Sequence, residues 1–535
     1  MPSSSTRSSW NRRSFLRSMG AAVLGASALP GALAGCSGDA ARPTGERKAI
    51  VIGSGFGGAV AALRLAEAGV RVTLLERGMA WPIEDDGDTF SLSLNADRRS
   101  TWLRDRTVAP LGPAFRIERH LGVLAREDFD TMKVYTGAGL GGGSLVYGCM
   151  TVQPTEAIFQ RVFGSDLSWS SMDGHWFPLV RRMLGAEPVP QDIFEAPFYE
   201  MSQRFAETCM DAGVRTELID LATDWAVVRA EMEGARRPSA ILGELLYGGN
   251  SGYKNSLDRT YLEAAAATGF LEVRTQHEVV RIDRSQRGTW IADVQVLEAD
   301  GSVASTDTFE ADMLFLGAGS LGTTRLLLRM QREGRLVGLP NTLGEQWGAN
   351  GNAMFMRSNL RFGTGRMQAN PPIMAAFDLD NPHTAIVVEN APFPIGFDCN
   401  CLLQLAVSDD PQRGRLELDD RGESLQLEWP EHSHEATLRA VEDFATRMEA
   451  HDGGTLGHPW LREVTKDFTY HPLGGAAMNH VCDTFGRVAG EPGLYVVDSA
   501  LIPGNTACSN PSLAIAAVAE RALDTIVRQD LRRLG

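Results

Sequence analysis

"KAIVIGSGFGGAVAALRLAEAGVRVTLLERG", residues 48 to 78, decides the fold. An apolar strand over Ala49 to Ile52 runs into Gly53-x-Gly55-x-x-Gly58, a helix with small residues on its packing face follows, and a second strand over Val72 to Leu75 ends at Glu76. Each part has a mechanical reason. Gly53 permits the tight turn, Gly55 lets backbone approach a pyrophosphate, Gly58 lets helix and strand pack closely, and the helix N-terminus faces the phosphates. Glu76 is placed to accept hydrogen bonds from ribose hydroxyls. The stretch predicts a Rossmann-like, doubly wound α/β unit that binds a dinucleotide, and by itself does not separate NAD from FAD.

The next glycine-rich stretch, "YTGAGLGGGSLVYGCM" (residues 135 to 150), offers backbone amides with no side chains to block approach, so it can wrap a phosphate or the edge of a planar ring. A flexible linker is the alternative, and the flanking apolar residues argue against it. "MLFLGAGSLGTTRLLL" (Met313 to Leu328) reads as a strand, a small turn and a helix. "GLYVVDSALIPG" (Gly493 to Gly504) reads as a strand ending in Asp498, then a turn at Pro503, and leads to a helix over Asn510 to Ala522.

A different signal lies in "IVVENAPFPIG", residues 386 to 396, almost wholly apolar with one carboxylate at Glu389. The run reads as a strand covered on both faces, where a carboxylate must be hydrogen-bonded, paired or protonated to offset its lost hydration. The alternative is a strand-end Glu that turns out to water.

At 535 residues the chain is too long for one small core, and 43% hydrophobic with 22% charged residues is ordinary for a globular protein. The formal charge of -16 makes nucleic acid an unsuitable partner. Arg12 and Arg13 precede the small-residue stretch "MGAAVLGASALPGALAG", which ends at Cys36 and is too short and too rich in Gly and Ala for a membrane span. The pair resembles the twin-arginine (Tat) export signal, and "LAGC" resembles a lipoprotein cleavage box with Cys36 as the acylated residue; an ordinary secretory signal and a chance cysteine are the alternatives. The expected location is periplasmic, secreted or membrane-anchored. Ser37 to Arg47 reads as a polar tether. The other six cysteines form no disulfide framework, although one bond is open to an exported chain, and Cys399-x-Cys401 is not a zinc signature. His432 and His434 flank a helix start and read as solvated surface, and no metal site is expected.

Together these motifs carry a resemblance. "GSGFGGAVAALRLAEAGV", "GAGLGGGSLV", "NSLDRTYLEAA", "LFLGAGSLGTT", "GEQWGANGN", "ENAPFP", "DDPQRGRL", "YHPLGGA", "GRVAGEPGLYVVDSALIPG" and "NPSLAI" follow the order of the glucose-methanol-choline (GMC) oxidoreductases. "ENAPFP" and "DDPQRGR" are similar to the branch of bacterial cholesterol oxidases with non-covalently bound FAD. The resemblance implies FAD contacts at Gly53, Gly55, Phe56, Gly57, Gly58, Glu76, Gly143, Gly148, Met150, Val279, Asp498 and Ser499. It also implies a catalytic set of His471, Asn510 and Glu389, with Glu389 as the carboxylate base of an isomerase step. The glycine-rich segment has no His placed for a covalent flavin link, so dissociable FAD is expected.

The activity implied is oxidation of a 3β-hydroxysteroid such as cholesterol with O2 as acceptor, followed by Δ5 to Δ4 isomerisation. The chain is expected to be a monomer that meets a membrane surface to extract substrate. A dehydrogenase of another bulky alcohol with a non-oxygen acceptor is an alternative, and a flavin protein that lost turnover is another. Two departures from the relatives are Tyr147, which replaces an Asn, and a stretch from Pro503 to Asn510 one residue longer. The expected division is an FAD-binding domain from 48 to 80, 255 to 345 and 485 to 535, with 133 to 150 threading back to the cofactor. Residues 81 to 254 and 346 to 484 are expected to form the substrate domain, and 269 to 275, 290 to 298 and 306 to 316 are expected as strands of the FAD domain.

Overall fold

A computed structural model describes residues 47–84, 87–110, 114–393, 395–457 and 468–533. The twin-arginine segment and Cys36 lie outside the described residues.

The glycine stretch folds as its pattern requires. Strand β1 (Lys48–Ile52) turns into helix α1 (Phe56–Glu67), and β2 (Arg71–Leu75) returns beside β1 in parallel. The alanines of α1 and its one valine, Val60, are buried, so the helix lies close on the sheet. Three more parallel strands complete a five-stranded sheet: β3 (Leu271–Arg274), β4 (Met313–Leu316) and β5 (Leu494–Val496), in the order β5-β4-β1-β2-β3. The strand order reverses between β1 and β4, and in such sheets the crevice at the carboxyl ends of those strands is the ligand-binding position. Helix α2 (Gly319–Arg332) leaves β4, and α3 (Pro511–Arg533) packs against α1.

One expectation needs correction. The 290 to 298 strand, and most of the one expected over 306 to 316, do not join the parallel sheet. His277–Arg284, Trp290–Leu297 and Val303–Ala311 form a separate three-stranded antiparallel sheet, and only Met313–Leu316 enters the dinucleotide sheet after a break at Asp312. The largely exposed Val303–Ala311 strand cannot sit in a sheet covered on both faces.

The second large sheet has six strands, in the order 455–456, 353–358, 402–408, 386–391, 374–378 and 215–218, with antiparallel pairing throughout. Its Ile386–Ala391 strand is buried along its whole length. Strand periodicity divides its side chains. Ile386 and Val388 face a core with Phe205, Val441 and Phe444, which come from the helices Glu200–Asp211 and Glu435–Asp452. Val387, Glu389 and Ala391 point to the opposite face, where Val387 belongs to the core shared with the dinucleotide sheet. Glu389 is therefore a mid-strand residue, not a strand end turned to water.

His432 is exposed before the helix Glu435–Asp452, but His434 is buried beside Trp429, with rings 5.6 Å apart, against the expectation of solvated surface for both. Cys399 and Cys401 form a disulfide, and Cys149, Cys209, Cys482 and Cys508 are buried thiols. Among the described residues no helix is long and apolar enough to cross a membrane, and no cluster of His, Cys, Asp and Glu could hold a metal ion.

Candidate active site

The crevice between β1 and β4 is built from backbone. Gly53 adopts φ +90°, and a Cβ there would stand 2.3 Å from the Gly317 carbonyl oxygen that follows β4. At Gly57, in the first turn of α1, a Cβ would stand 1.8 Å from the carbonyl oxygen of Val497, next to Asp498. Gly55 is different, because nothing lies within 4 Å of the Cβ it lacks, and the same holds for Gly143. Their loops touch, since a Cβ on Gly142 would lie 2.8 Å from Gly55 Cα. Open space over two glycines beside the unshared amides of a helix N-terminus is what a pyrophosphate needs, so the residues present fit a dinucleotide.

Ser54 locks the two glycine loops together. Its hydroxyl donates to Glu76 Oε2 (2.6 Å) and accepts from the Gly141 amide (3.0 Å), while the Ser54 amide also donates to Glu76 Oε2 (3.1 Å). Glu76 Oε1 accepts from the Gly78 amide (2.8 Å). Glu76 thus ends β2 as expected, with a structural task as well as lone pairs for ribose. Phe56 meets Tyr147 edge-on, with centroids 5.7 Å apart, and the Tyr147 hydroxyl donates to the Asn255 carbonyl (3.3 Å). Met150 folds over Gly148, where a Cβ would stand 2.9 Å from its sulfur, and the Met150 carbonyl accepts from Ser512 at the start of α3 (2.7 Å). Val279 is half-buried, two residues beyond the bond from the His277 amide to the Glu76 carbonyl (2.9 Å). Asp498 caps α2, accepting from the Gly319 amide (2.8 Å) and the Thr323 hydroxyl (2.5 Å), and burial pushes its carboxyl up to about 6. Ser499 Oγ accepts from the Ser320 amide (2.9 Å).

Lys254 is a further anchor, which the motif reading missed. Its buried ammonium donates to the carbonyls of Leu145 (3.0 Å), Tyr147 (3.0 Å) and Leu245 (2.9 Å), and so fixes the exit of the glycine-rich segment. Desolvation pushes it down to about 8.

His471 sits where two asparagines converge. Asn352 Nδ2 lies 2.9 Å from His471 Nδ1, and Asn350 Nδ2 lies 3.4 Å away. The orientation of both amides is set elsewhere: Asn352 Oδ1 accepts from Thr469 Oγ1 (2.8 Å) and the Tyr470 amide (3.3 Å), and Asn350 Oδ1 accepts from the Thr506 amide (2.8 Å). Each amide therefore presents its NH2 to the imidazole, so Nδ1 must accept and the neutral ring carries its proton on Nε2. His471 is half-buried, and desolvation pushes the imidazole down to about 3. Asn350 also donates to the Ser509 carbonyl (2.9 Å), which couples His471 to the 503–510 loop, where Ala507 and Cys508 hold positive φ.

On the other side stands Glu389, 1% exposed. Its Oε2 accepts from Asn510 Nδ2 at 3.4 Å, and Oε1 has no partner. Burial, only partly offset by Asn510, pushes the carboxyl up to about 8. The Asn510 Oδ1 is likewise buried without a partner, as is the hydroxyl of Tyr470. Tyr470 feels the charge of Glu389 and its ring stands 4.4 Å from that of His471. A protonatable carboxyl, a neutral Nε2–H donor and an amide with an open acceptor thus share one region, a set suited to holding an oxygen and moving a proton.

A parallel sheet whose switch point is lined by glycines, beside a pocket of His, Asn and Glu, defines a dinucleotide-dependent oxidoreductase fold. The sequence profile described as GMC oxidoreductase matches residues 47–331, and the C-terminal profiles of the same family match 350–459 and 411–519. The chain belongs to the GMC oxidoreductase family, whose members are FAD-dependent alcohol oxidoreductases. It is similar to the cholesterol oxidase of Mycobacterium tuberculosis, 27% identical over 565 residues that span 88% of this chain and 90% of that one. Among solved structures it is similar to pyridoxine 4-oxidase from Mesorbium loti (TM-score 0.61, 18% identity, 91% of this chain and 100% of that one). It is also similar to a fungal aryl-alcohol oxidase (TM-score 0.61, 15% identity, 91% and 99%). These two likenesses are of fold.

Proposed function

We propose that the chain oxidises a 3β-hydroxysteroid such as cholesterol to the 3-ketone, passes the electrons to O2 to form H2O2, and moves the Δ5 double bond to Δ4. One observation carries the reading: the unsatisfied carboxyl of Glu389, held in an apolar strand beside Asn510 and Tyr470. Alcohol oxidation releases its hydroxyl proton for good and can pass it to water, whereas moving a proton from C4 to C6 needs a group that both takes the proton and returns it, as a carboxyl of raised proton affinity does. The similarity to a cholesterol oxidase over most of both chains supports the same reading.

FAD, held without a covalent link by the Gly55, Gly143 and Glu76 region, supplies the hydride acceptor when bound. The roles of the side chains follow from their hydrogen bonds. His471, with its proton on Nε2, donates to the substrate hydroxyl oxygen and orients the carbon-hydrogen bond; the hydroxyl proton leaves to water as the hydride departs, and a proton is regained when O2 becomes H2O2. Asn352 and Asn350 hold that tautomer. Asn510 steadies Glu389 and offers an amide to developing negative charge. Glu389 as carboxylate takes the C4 proton of the 3-keto-5-ene and returns it to C6, so the step is proton-neutral. Export by the twin-arginine route suits a protein that folds around its cofactor first.

The test uses the FAD-loaded chain, anaerobically, with cholesterol. Bleaching of the oxidised flavin band with growth of the conjugated-enone ultraviolet band, and reoxidation on admitting air, is expected. A flavin that stays oxidised with every 3β-hydroxysteroid would overturn the substrate; bleaching without reoxidation in air would turn the reading to a dehydrogenase.

A further inference from the structure

The segments 101–110 and 114–120 pair with one another: Arg106 bridges to Arg116, the Thr107 amide donates to the Phe115 carbonyl (2.9 Å), and the Ile117 amide donates to the Asp105 carbonyl (2.9 Å). With Arg126, Lys133, Tyr135 and Phe468 these segments line a cavity of about 750 Å³, open to the surface and in the size range of small-molecule sites. No role in the family's catalytic or cofactor set falls on it.

Its walls reverse the charge of the protein. The chain carries -16 overall, yet the described residues lining the cavity present Arg104, Arg106, Arg119, Arg126 and Lys133 against one carboxylate, Asp105. Asp128, outside the wall, pairs with Arg104 and Arg126, each at 2.8 Å. Arg106 makes no hydrogen bond or ion pair with a described residue, and Arg119 has only the longer-range field of Asp300. Both are exposed, and two guanidinium forks on one cavity suit a carboxylate or sulfate.

The rest of the cavity is apolar. Val108, Tyr135 and Phe468 are buried behind its surface, and they belong to the cluster that also takes in Tyr470 and Ala391. Consecutive rings lead from the cavity to the imidazole: Tyr135 to Phe468 at 6.3 Å, Phe468 to Tyr470 at 5.6 Å, and Tyr470 to His471 at 4.4 Å. A ligand with an apolar body and an anionic end matches this arrangement, and a neutral sterol leaves Arg106 and Arg119 without an anionic partner among the described residues.

We propose that this cavity binds the anionic end of an apolar steroid-sized molecule, a carboxylate or sulfate held by Arg106 and Arg119, and so selects acidic substrates for the site at His471. The steroid skeleton rests on the function proposed above; the anion site rests on the cavity alone.

The test compares equilibrium binding to the FAD-loaded enzyme of cholanate, a steroid carboxylate without a ring hydroxyl, and of its uncharged amide. Cholanate is expected to bind at least tenfold more tightly. The preference should fall to about one in R106Q/R119Q and persist in R106K/R119K, with flavin content showing that each variant is folded. Equal binding of acid and amide, or a preference that survives R106Q/R119Q, overturns the proposal. Arginine-dependent recruitment to phosphatidylglycerol vesicles without a cholanate preference also overturns it, and reassigns the arginines to a membrane surface. Because cholanate has no hydroxyl to oxidise, an arginine-dependent preference with no turnover of any 3β-hydroxysteroid keeps the anion site and sinks the sterol reading alone.

Discussion

Asn510 Nδ2 stands 3.4 Å from Glu389 Oε2, the one hydrogen bond the buried carboxyl receives from a described residue, while Oε1 has none. A single long bond does not offset burial, so the carboxyl titrates near 8 instead of in the usual carboxylate range. If the carboxylate is the isomerising base, the isomerisation rate should rise about tenfold per pH unit up to about pH 8 and then level off. Stopped-flow conversion of cholest-5-en-3-one to the conjugated enone reads it. Glu389→Gln should lower this rate by at least about 100-fold while alcohol oxidation continues, with the 5-ene-3-ketone accumulating. Isomerisation that persists in Glu389→Gln would remove the carboxyl from the mechanism.

The imidazole gives the opposite pH signature. Desolvation moves His471 from its ordinary 6.5 down to about 3, so the ring stays neutral across the working range. The rate of anaerobic flavin reduction should show no inflection near pH 6.5. Asn352→Ala removes the donor that keeps the proton on Nε2 and should lower that rate by about 100-fold with flavin content unchanged. Asn352→Asp replaces the donor with a negative acceptor, which should raise the imidazole into the measurable range. An unaltered rate and pH profile in both variants would make Asn352 a packing residue only.

How much of this was legible in the sequence depends on range. The turn at Gly53 and the acid at Glu76 are fixed by backbone geometry within thirty residues, and their pattern shows in one dimension. The run around Glu389 reads as a covered strand, yet by itself leaves open a strand-end carboxylate turned to water, and the resemblance carried by "ENAPFP" rather than the run pointed to a buried base. The partners of His471 could not be read, because Asn350 and Asn352 lie 121 and 119 residues away and meet it through the sheet. "GANGN" was visible as a motif without a task. Lys254, 109 residues from Leu145, was equally silent, since a lone lysine reads as surface until three carbonyls are found around it. The strands expected over 290 to 298 and 306 to 316 were given to the doubly wound domain, and only Met313–Leu316 joins its parallel sheet, because strand signals carry no address.

Lys254 offers a further test. Three carbonyls share its three ammonium protons, and the ammonium titrates near 8, below the ordinary lysine value of 10.5. Above that pH one donor is lost and a buried carbonyl is left unpaired. FAD affinity, followed by fluorescence of released flavin, should therefore weaken as pH rises through about 8. Lys254→Met should bind FAD at least tenfold less tightly at neutral pH and lose that pH dependence. Tight, pH-independent binding in both proteins would show that the anchor does not support the cofactor loop.

The two glycines of the first turn should separate cofactor binding from folding. At Gly57 a Cβ would meet the Val497 carbonyl at 1.8 Å, a backbone contact that no rotamer relieves, so Gly57→Ala should fail to give soluble folded protein. Gly55 has φ -68° and ψ -173°, which any residue adopts, and no atom lies within 4 Å of the missing Cβ. Gly55→Ala should leave the apo-protein as stable as the parent, or about 0.4–1 kcal/mol more stable through a less flexible unfolded chain. The added methyl group projects into the space assigned to the pyrophosphate, and FAD affinity should fall at least tenfold. Thermal unfolding of the apo-proteins and flavin titration read the two effects apart. If Gly55→Ala binds FAD as tightly as the parent, the open space above that residue is not where the pyrophosphate lies.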